Sequence, residues 1–341
     1  MPKRPQKTGG SVPTLRDIAK RAGVSEMTAS RVIRDVGYVA DSTRKKVLAA
    51  AAALGYVPNQ LAGALAMGRV NLVGLVIPSM RNVVFPEVLS GLSKTLRAGG
   101  FQPVIGVTDY DLDTEEQVIR DMLSWRPSGI VVAGLDHTGA TRAMLRAANI
   151  PVAEVMDVDG TPIDINVGIS HIDAGRAMGQ AMVEKGYKTM GFGGGPLERD
   201  QRGRQRYEGF CAAVEEAGLA PPRLATYAGR SSLAMGRILL GDLLDKGPLD
   251  AVYFGSDLLA AGAVIEAEAR GLKVPSDVAL AGFNGLDILE GFPRALATTR
   301  SPRFDIGVQA AQLLLRAMEG DLPQEERKMV FPVEITPGET I

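Results

Sequence analysis

The sequence predicts an all-α helix-turn-helix head with a short linking helix, followed by a doubly wound α/β body of two lobes. Residues 1–70 hold twelve Lys and Arg against four Asp and Glu, a balance of +8, so the rest of a chain of formal charge −1 carries −9. Up to Gly55 the apolar residues recur at helical spacing, whereas beyond Arg69 short apolar runs alternate with helix-length amphipathic segments. Those runs are continuous, as expected for parallel strands covered on both faces.

A chain of 341 residues and 36.1 kDa exceeds the usual single domain and has ample length for a core. Its 45% hydrophobic and 23% charged residues are those of an ordinary globular protein. One cysteine, Cys211, excludes an intramolecular disulfide framework. No apolar run reaches the roughly 18 residues that cross a bilayer. Met1 to Pro13 is basic and polar with no apolar core after it, so neither a secretory signal nor a membrane span is expected and the chain is assigned to the cytoplasm.

Residues 1–13, with Pro2, Pro5, Gly9 and Gly10, are expected to be a disordered leader. In the head, 14–57, Leu15, Ile18 and Ala19 share one side of a first helix, Gly23 supplies a turn, and Ser25 caps a second helix running to Ile33. A third helix starts near Asp41 and Ser42 and runs to Leu54, where Gly55 stops it. Within the linker 58–70, Leu61, Ala62, Leu65 and Ala66 fall at helical spacing, but Asn59 to Met67 is too short for a helix that is stable alone. In the body, 71–341, strands are expected at Leu72–Ile77, Pro103–Val107, Ile130–Ala133, Val152–Val155, Met190–Gly193, Ala251–Phe254 and Val278–Phe283. Seven strands suit two modest sheets at least as well as one large one. Trp125 and the methionines are assigned to the core.

A basic head of this size is an electrostatic footprint for a polyanion, the alternative being a solvated charged face. In a helix-turn-helix the second helix offers its N-terminal side chains to the major groove. Glu26, Met27, Thr28, Ser30 and Arg31 are therefore the candidate readers, with Thr14, Leu15 and Ser25 completing the set on the head. Arg31 suits guanine O6 and N7, Met27 a thymine methyl, and Glu26 a cytosine amino group. The bland reading of the same residues is a helical hairpin in a larger core.

The runs Thr14-Leu-Arg-Asp-Ile-Ala-Lys-Arg-Ala-Gly-Val-Ser25, Thr28-Ala-Ser-Arg-Val-Ile33 and Gly55-Tyr-Val-Pro-Asn-Gln-Leu-Ala62 resemble the head and hinge of the LacI/GalR family of bacterial transcriptional repressors. The resemblance runs essentially the whole length of the chain. Met27-Thr28, Met122 to Trp125, Asp136 to Thr138, Glu154 to Asp157 and Gly282 to Gly285 are similar to the gluconate-utilisation branch. The resemblance implies a periplasmic-binding-protein-like body, with one lobe at about 71–169 plus 301–329 and the other at about 170–300 plus 330–341. It makes Asn59 to Met67 a hinge helix that folds on specific DNA, with Asn59 and Ala62 as contacts and Leu65 as a minor-groove wedge. The alternative for Leu65 is linker packing. The implied partners are a palindromic double-stranded operator, a second copy of the chain and a small effector, with no membrane partner.

Ligands of a parallel α/β body bind at the carboxyl ends of its strands. Phe85 follows the first strand, Ser256 and Asp257 follow the strand ending at Phe254, and Asn284 follows the strand ending at Phe283. By position in the family pattern Arg206 matches the arginine that clamps the effector; otherwise it pairs with Glu208 or Asp200 on the surface. Asn284 stands where the family commonly has an aspartate, which removes a negative charge beside the ligand. With Arg206 as a planar donor, His137 as a second donor and Asp157 near hydroxyls, the site favours a sugar acid such as gluconate. His137 as a solvated loop residue and Asn284 as a turn cap remain open.

Gly191 to Pro196 resembles a dinucleotide fingerprint, but Pro196 occupies the third glycine position, so it reads better as a loop bordering the cleft. His137, His171 and Cys211 have no metal-ligand spacing, and neither a metal nor a cofactor is expected. The functional expectation is a non-enzymatic, DNA-binding transcriptional regulator of carbohydrate or sugar-acid metabolism; against a transport solute-binding protein stand the missing signal peptide and the basic head, and against a nucleotide-dependent enzyme the failed glycine pattern and the absent acid/base pair. If Leu65 is the wedge, Leu65→Ala weakens operator binding in a titration while effector binding stays intact; unchanged operator affinity refutes that role.

Overall fold

A computed structural model of the chain describes residues 12–57, 70–81 and 83–341. These form two compact units that divide at Val70 and Asn71.

The head unit contains α1 (Leu15–Ala22), α2 (Glu26–Ile33) and α3 (Asp41–Leu54). A reciprocal cap opens α1: the Asp17 backbone N–H donates to the Thr14 hydroxyl while the Thr14 N–H donates to the Asp17 carboxylate at 2.8 Å. Gly23, in left-handed backbone at φ 69°, closes α1 and turns the chain, and the Ser25 hydroxyl accepts from Thr28 N–H at 3.1 Å to start α2. Ile18, Ala19, Ala29, Val32, Val47, Ala50 and Ala51 form the buried core, with Val24 and Ile33 packed at its edge. Its alanines let three short helices pack closely, which is what makes each of them stable in spite of its length.

The body carries two six-stranded sheets. In the first the order is β11 (Lys328–Val330), β5 (Ile165–Gly168), β4 (Val152–Val155), β3 (Pro127–Ala133), β1 (Val70–Ile77) and β2 (Gln102–Val107). In the second it is β12 (Glu334–Thr336), β10 (Ala297–Arg300), β9 (Ala279–Asn284), β8 (Ala251–Phe254), β6 (Met190–Gly194) and β7 (Arg223–Thr226). The second sheet is parallel except for β12, which runs antiparallel to β10. On the first sheet α4 (Val84–Ala98) and α11 (Arg303–Glu319) cover one face, and α5 (Leu112–Ser124) and α6 (Gly139–Ala147) lie towards the other. On the second, α7 (His171–Glu184) and α8 (Gln201–Glu216) cover one face and α9 (Leu233–Leu244) and α10 (Asp257–Ala269) the other.

The chain passes between the two sheets three times: after β5, after β10 and after β11. All seven strands read from the sequence are present. The five others were not expected from it, because they are three or four residues long and mix polar with apolar side chains, as in Ala-Thr-Thr-Arg at β10 and Lys-Met-Val at β11. Trp125 is also a correction: it caps the end of α5 and is 44% exposed, outside the core assigned to it.

Helix backbones pack closely where α7 crosses α8. A Cβ at Gly175 would collide with the Arg206 carbonyl oxygen, and one at Gly209 with the Ile172 carbonyl oxygen. Two glycines thus let the helix backbones touch, and they fix the height of Arg206 relative to α7. Replacing Gly175 by alanine forces the helices apart, an overpacking cost of ~1–3 kcal/mol; calorimetric melting of Gly175→Ala should show a clear loss of stability, and an unchanged melting temperature counts against the close crossing.

Candidate functional site

Along α2 the exposed side chains are Glu26, Met27 and Arg31, the last two one helical turn apart. Met27 is 67% exposed, an apolar side chain left in water on the face offered for base contact. Thr14, Ser25 and Thr28 sit at helix starts with hydroxyls engaged in capping, Ser25 and Thr28 at 2.9 Å from each other. Leu15 packs against the head core. Ser30 departs from its reading role: it is buried, and its hydroxyl accepts from Arg34 Nε at 3.0 Å, so its side chain points inward. Val36 and Tyr38, between α2 and α3, are strongly exposed and lie outside the helical periodicity of the head. Asn59, Ala62 and Leu65 lie outside the described residues.

In the body, loops from the carboxyl ends of both sheets enclose a cavity of about 350 Å³, at the lower end of the range for small-molecule sites. Phe85, Arg206, Ser256 and Asn284 line it, as do Gly195 and Pro196 of the glycine-rich loop. Arg206 comes from the second turn of α8 and is only 5% exposed. Its guanidinium stacks 4.2 Å over the Phe283 ring, Nη1 donates to His171 Nδ1 at 2.9 Å, and Nη2 donates to the Gly255 carbonyl at 3.3 Å. Among the described residues Nε has no hydrogen-bond partner and no carboxylate lies within ion-pair distance of the guanidinium.

His171 sets this arrangement. Its Nε2 lies 2.9 Å from the Met156 carbonyl, which can only accept, so Nε2 carries the proton and Nδ1 is left to accept from Arg206. Complete burial, with Arg206 and Arg202 adding to it, holds the imidazole well below its ordinary pKa and therefore neutral. Burial also lowers the pKa of Arg206, opposed mainly by the charge of Asp200. A buried guanidinium with no carboxylate costs several kcal/mol. The arrangement is suited to receiving an anion, whose charge offsets that cost.

Asn284 ends β9 with φ 114°, and its carbonyl accepts from Ser301 N–H at 3.2 Å and from Arg303. Ser256 caps α10, its hydroxyl accepting from Leu259 N–H at 3.4 Å. Asp257 is displaced from the role expected of it. It is fully buried behind the wall, where its carboxylate accepts from Leu286 N–H at 2.8 Å and the Thr298 hydroxyl at 2.6 Å; burial pushes its pKa up to about 6 against those hydrogen bonds. It ties the start of α10 to the segment after Asn284. Asp157 is likewise buried and off the cavity wall, its carboxylate spent on Asp159 N–H at 2.9 Å.

His137 is also a correction. It neither lines the cavity nor lies in solvent: Nδ1 is 2.7 Å from Glu115 Oε1 and Nε2 is 3.4 Å from Glu154 Oε1, with all three residues buried. Burial disfavours its charge, but the two glutamates overcome this and raise its pKa to about 9. Residues on the wall that the sequence reading did not select include Arg81, Tyr110, His171, Arg199, Arg202 and Arg230. Arg202 was visible in principle, since it stands four residues before Arg206 on one helix. Arg230 and His171 follow strands too short to be recognised. Among the described residues no group of three or more His, Cys, Asp or Glu is placed to hold a metal ion.

Residues 14–59 match the family described as bacterial regulatory proteins, lacI family, and residues 71–332 match periplasmic binding proteins and sugar binding domain of LacI family. The chain belongs to the LacI family. This LacI-family protein is 39% identical over 311 residues to the HTH-type transcriptional regulator GntR of Pseudomonas aeruginosa, covering 90% of each chain. It is 36% identical to the HTH-type transcriptional regulator IdnR of Escherichia coli, covering 90% of this chain and 92% of that one. A crystal structure of a LacI-family transcriptional regulator from Silicibacter pomeroyi superposes with TM-score 0.91 at 47% identity, covering 96% and 99% of the two chains. The protein is a DNA-binding transcriptional regulator, with the helix-turn-helix head and two-lobed body of its family. The reading as a transport protein is not supported, because the matched head belongs to regulators.

Two outcomes follow from these geometries. Arg206→Lys keeps the charge but loses the fork, so the affinity for an anionic ligand should fall on the order of tenfold or more by calorimetry, given ~1.5–3 kcal/mol per charged hydrogen bond; undiminished affinity argues against Arg206 as the clamp. A folded-state pKa of about 9 for His137, above its ordinary 6.5, means that its stabilisation is complete below the lower value and lost as pH rises through the upper one. The melting temperature should therefore fall from about pH 7 to about pH 9.5, and fall less in His137→Gln; equal slopes for both proteins would disprove the buried ion triad.

Proposed function

We propose that this regulator represses genes of sugar-acid metabolism as a homodimer on a palindromic operator, under control of a sugar-acid effector such as gluconate. The observation that carries the effector class is Arg206, buried in the cavity with an unpartnered Nε and, among the described residues, no carboxylate within ion-pair distance. Asn284 at the adjoining strand end adds no negative charge, so an anionic group is not repelled there. Similarity to the GntR and IdnR regulators and the quoted gluconate-branch motifs support the same reading. Gly195, Ser256 and Asn284 line the same cavity as the arginine and bring groups able to hydrogen-bond hydroxyls.

For the head, Met27 and Arg31 are the base-edge readers, with Glu26 beside them, and phosphate contacts make binding strongly salt-dependent. Effector binding shifts the balance between lobe arrangements, and with it the affinity for operator. A coupling of about 1–3 kcal/mol, typical of such systems, corresponds to roughly 5- to 150-fold.

The full chain should retard a palindromic duplex in preference to random duplex at physiological salt, and gluconate should change that affinity, the sign separating induction from co-repression. In a thermal-shift screen, sugar acids should stabilise the protein and neutral sugars should not. Stabilisation by neutral pentoses or purines alone overturns the effector class.

A further inference from the structure

Five arginines line the cavity, Arg81, Arg199, Arg202, Arg206 and Arg230, against a single carboxylate, Asp200. That carboxylate is itself engaged, capping α8 by accepting from Gly203 N–H at 2.9 Å. None of the five has a carboxylate within ion-pair distance among the described residues. Elsewhere on the same helix the pattern is the ordinary one: Arg204, facing away, lies 3.7 Å from Glu208. Arg202 and Arg206 stand four residues apart, a like-charge spacing that is unfavourable on a helix unless an anion lies between them.

The five are graded in depth. Arg206 is buried, Arg202 is half-buried over the Phe85 ring at 5.7 Å, and Arg81, Arg199 and Arg230 are exposed at the mouth. With Asp200 counted, a singly charged sugar acid placed on Arg206 still leaves an excess of three positive charges around the cavity. The cavity is too small for two ligands of that size to be needed to fill it, so the second negative charge belongs on the same molecule. Arginine forks, and the N-terminal end of α8 that presents Arg202, match a phosphate group in charge and geometry.

We propose that Arg199, Arg202 and Arg230 form a second anion subsite at the mouth of the cavity, which selects a phosphorylated sugar acid: the carboxylate is held by the buried Arg206 and the phosphate by the outer arginines. Arg202 is the specificity-determining residue of the three, because its stacking on Phe85 fixes it in place while the other two are free in solvent. This rests on the sugar-acid reading of the cavity and names its ligand more closely.

Calorimetric titration of the full-length protein with D-gluconate, 6-phospho-D-gluconate and D-glucarate tests it. Phosphogluconate should bind at least tenfold tighter than gluconate, and tighter than glucarate. In Arg202→Gln, and in the double variant Arg199→Gln/Arg230→Gln, the ratio of phosphogluconate to gluconate affinity should fall below about threefold, with ligand-free melting temperatures confirming that the variants are folded. Equal binding of gluconate and phosphogluconate, or a ratio untouched by the substitutions, overturns the second subsite and leaves the sugar-acid reading standing. Glucarate binding as tightly as phosphogluconate overturns the phosphate assignment. Binding of none of the three overturns the sugar-acid reading itself.

Discussion

A positive charge held out of water without a negative partner is the constraint on which the body is organised. Arg206 has an aromatic ring beneath it, a neutral imidazole beside it and a backbone carbonyl at its tip, and each of these satisfies the guanidinium only in part. Several parts of the fold converge on this one group. The glycine contact between α7 and α8 sets its height, β9 presents the ring of Phe283, and the turn after β4 supplies the carbonyl of Met156 that orients His171. Met156 adopts φ 78°, unusual for a side chain of that size, so the segment is bent to bring that carbonyl into place.

The acidic residues near the cavity show the same constraint from the other side. Asp200, Asp157 and Asp257 all stand close to the site, yet each carboxylate is turned to backbone N–H groups or a hydroxyl. Used in this way they brace loops and helix starts and act on the arginine only at a distance, without forming an ion pair with it. His137 and its two glutamates do comparable work in the first lobe, joining α5, the segment before α6 and β4 away from the ligand. Ionisable groups are thus divided between those that hold the frame and those that face the cavity.

Much of this was legible in the sequence, and what was not has physical reasons. Helix periodicity, Gly23, Ser25 and Gly55 define the head because they act locally, and the long apolar runs mark strands buried on both faces. The short strands escaped because three or four residues of mixed polarity carry no period. Phe85, Arg206, Ser256 and Asn284 could be placed by the rule that ligands lie beyond strand ends. That rule does not say which way a side chain turns: Asp157, Asp257 and Ser30 occupy suitable positions and point into the protein, and His137 lies at a strand end that faces two glutamates. His171 carries no local signal of its part as a prop for Arg206, which depends on a contact across 35 residues of chain.

Because the polypeptide passes between the sheets three times, neither lobe is a continuous stretch of sequence. The first sheet gains its edge strand β11 and its covering helix α11 only from residues beyond 302, more than two hundred positions after β1. During synthesis the second lobe therefore has all of its parallel strands before the first can bury its apolar face under α11. The nascent first lobe has that face covered by α4 alone while its neighbour is made, so part of its apolar surface stays exposed through the synthesis of the second lobe.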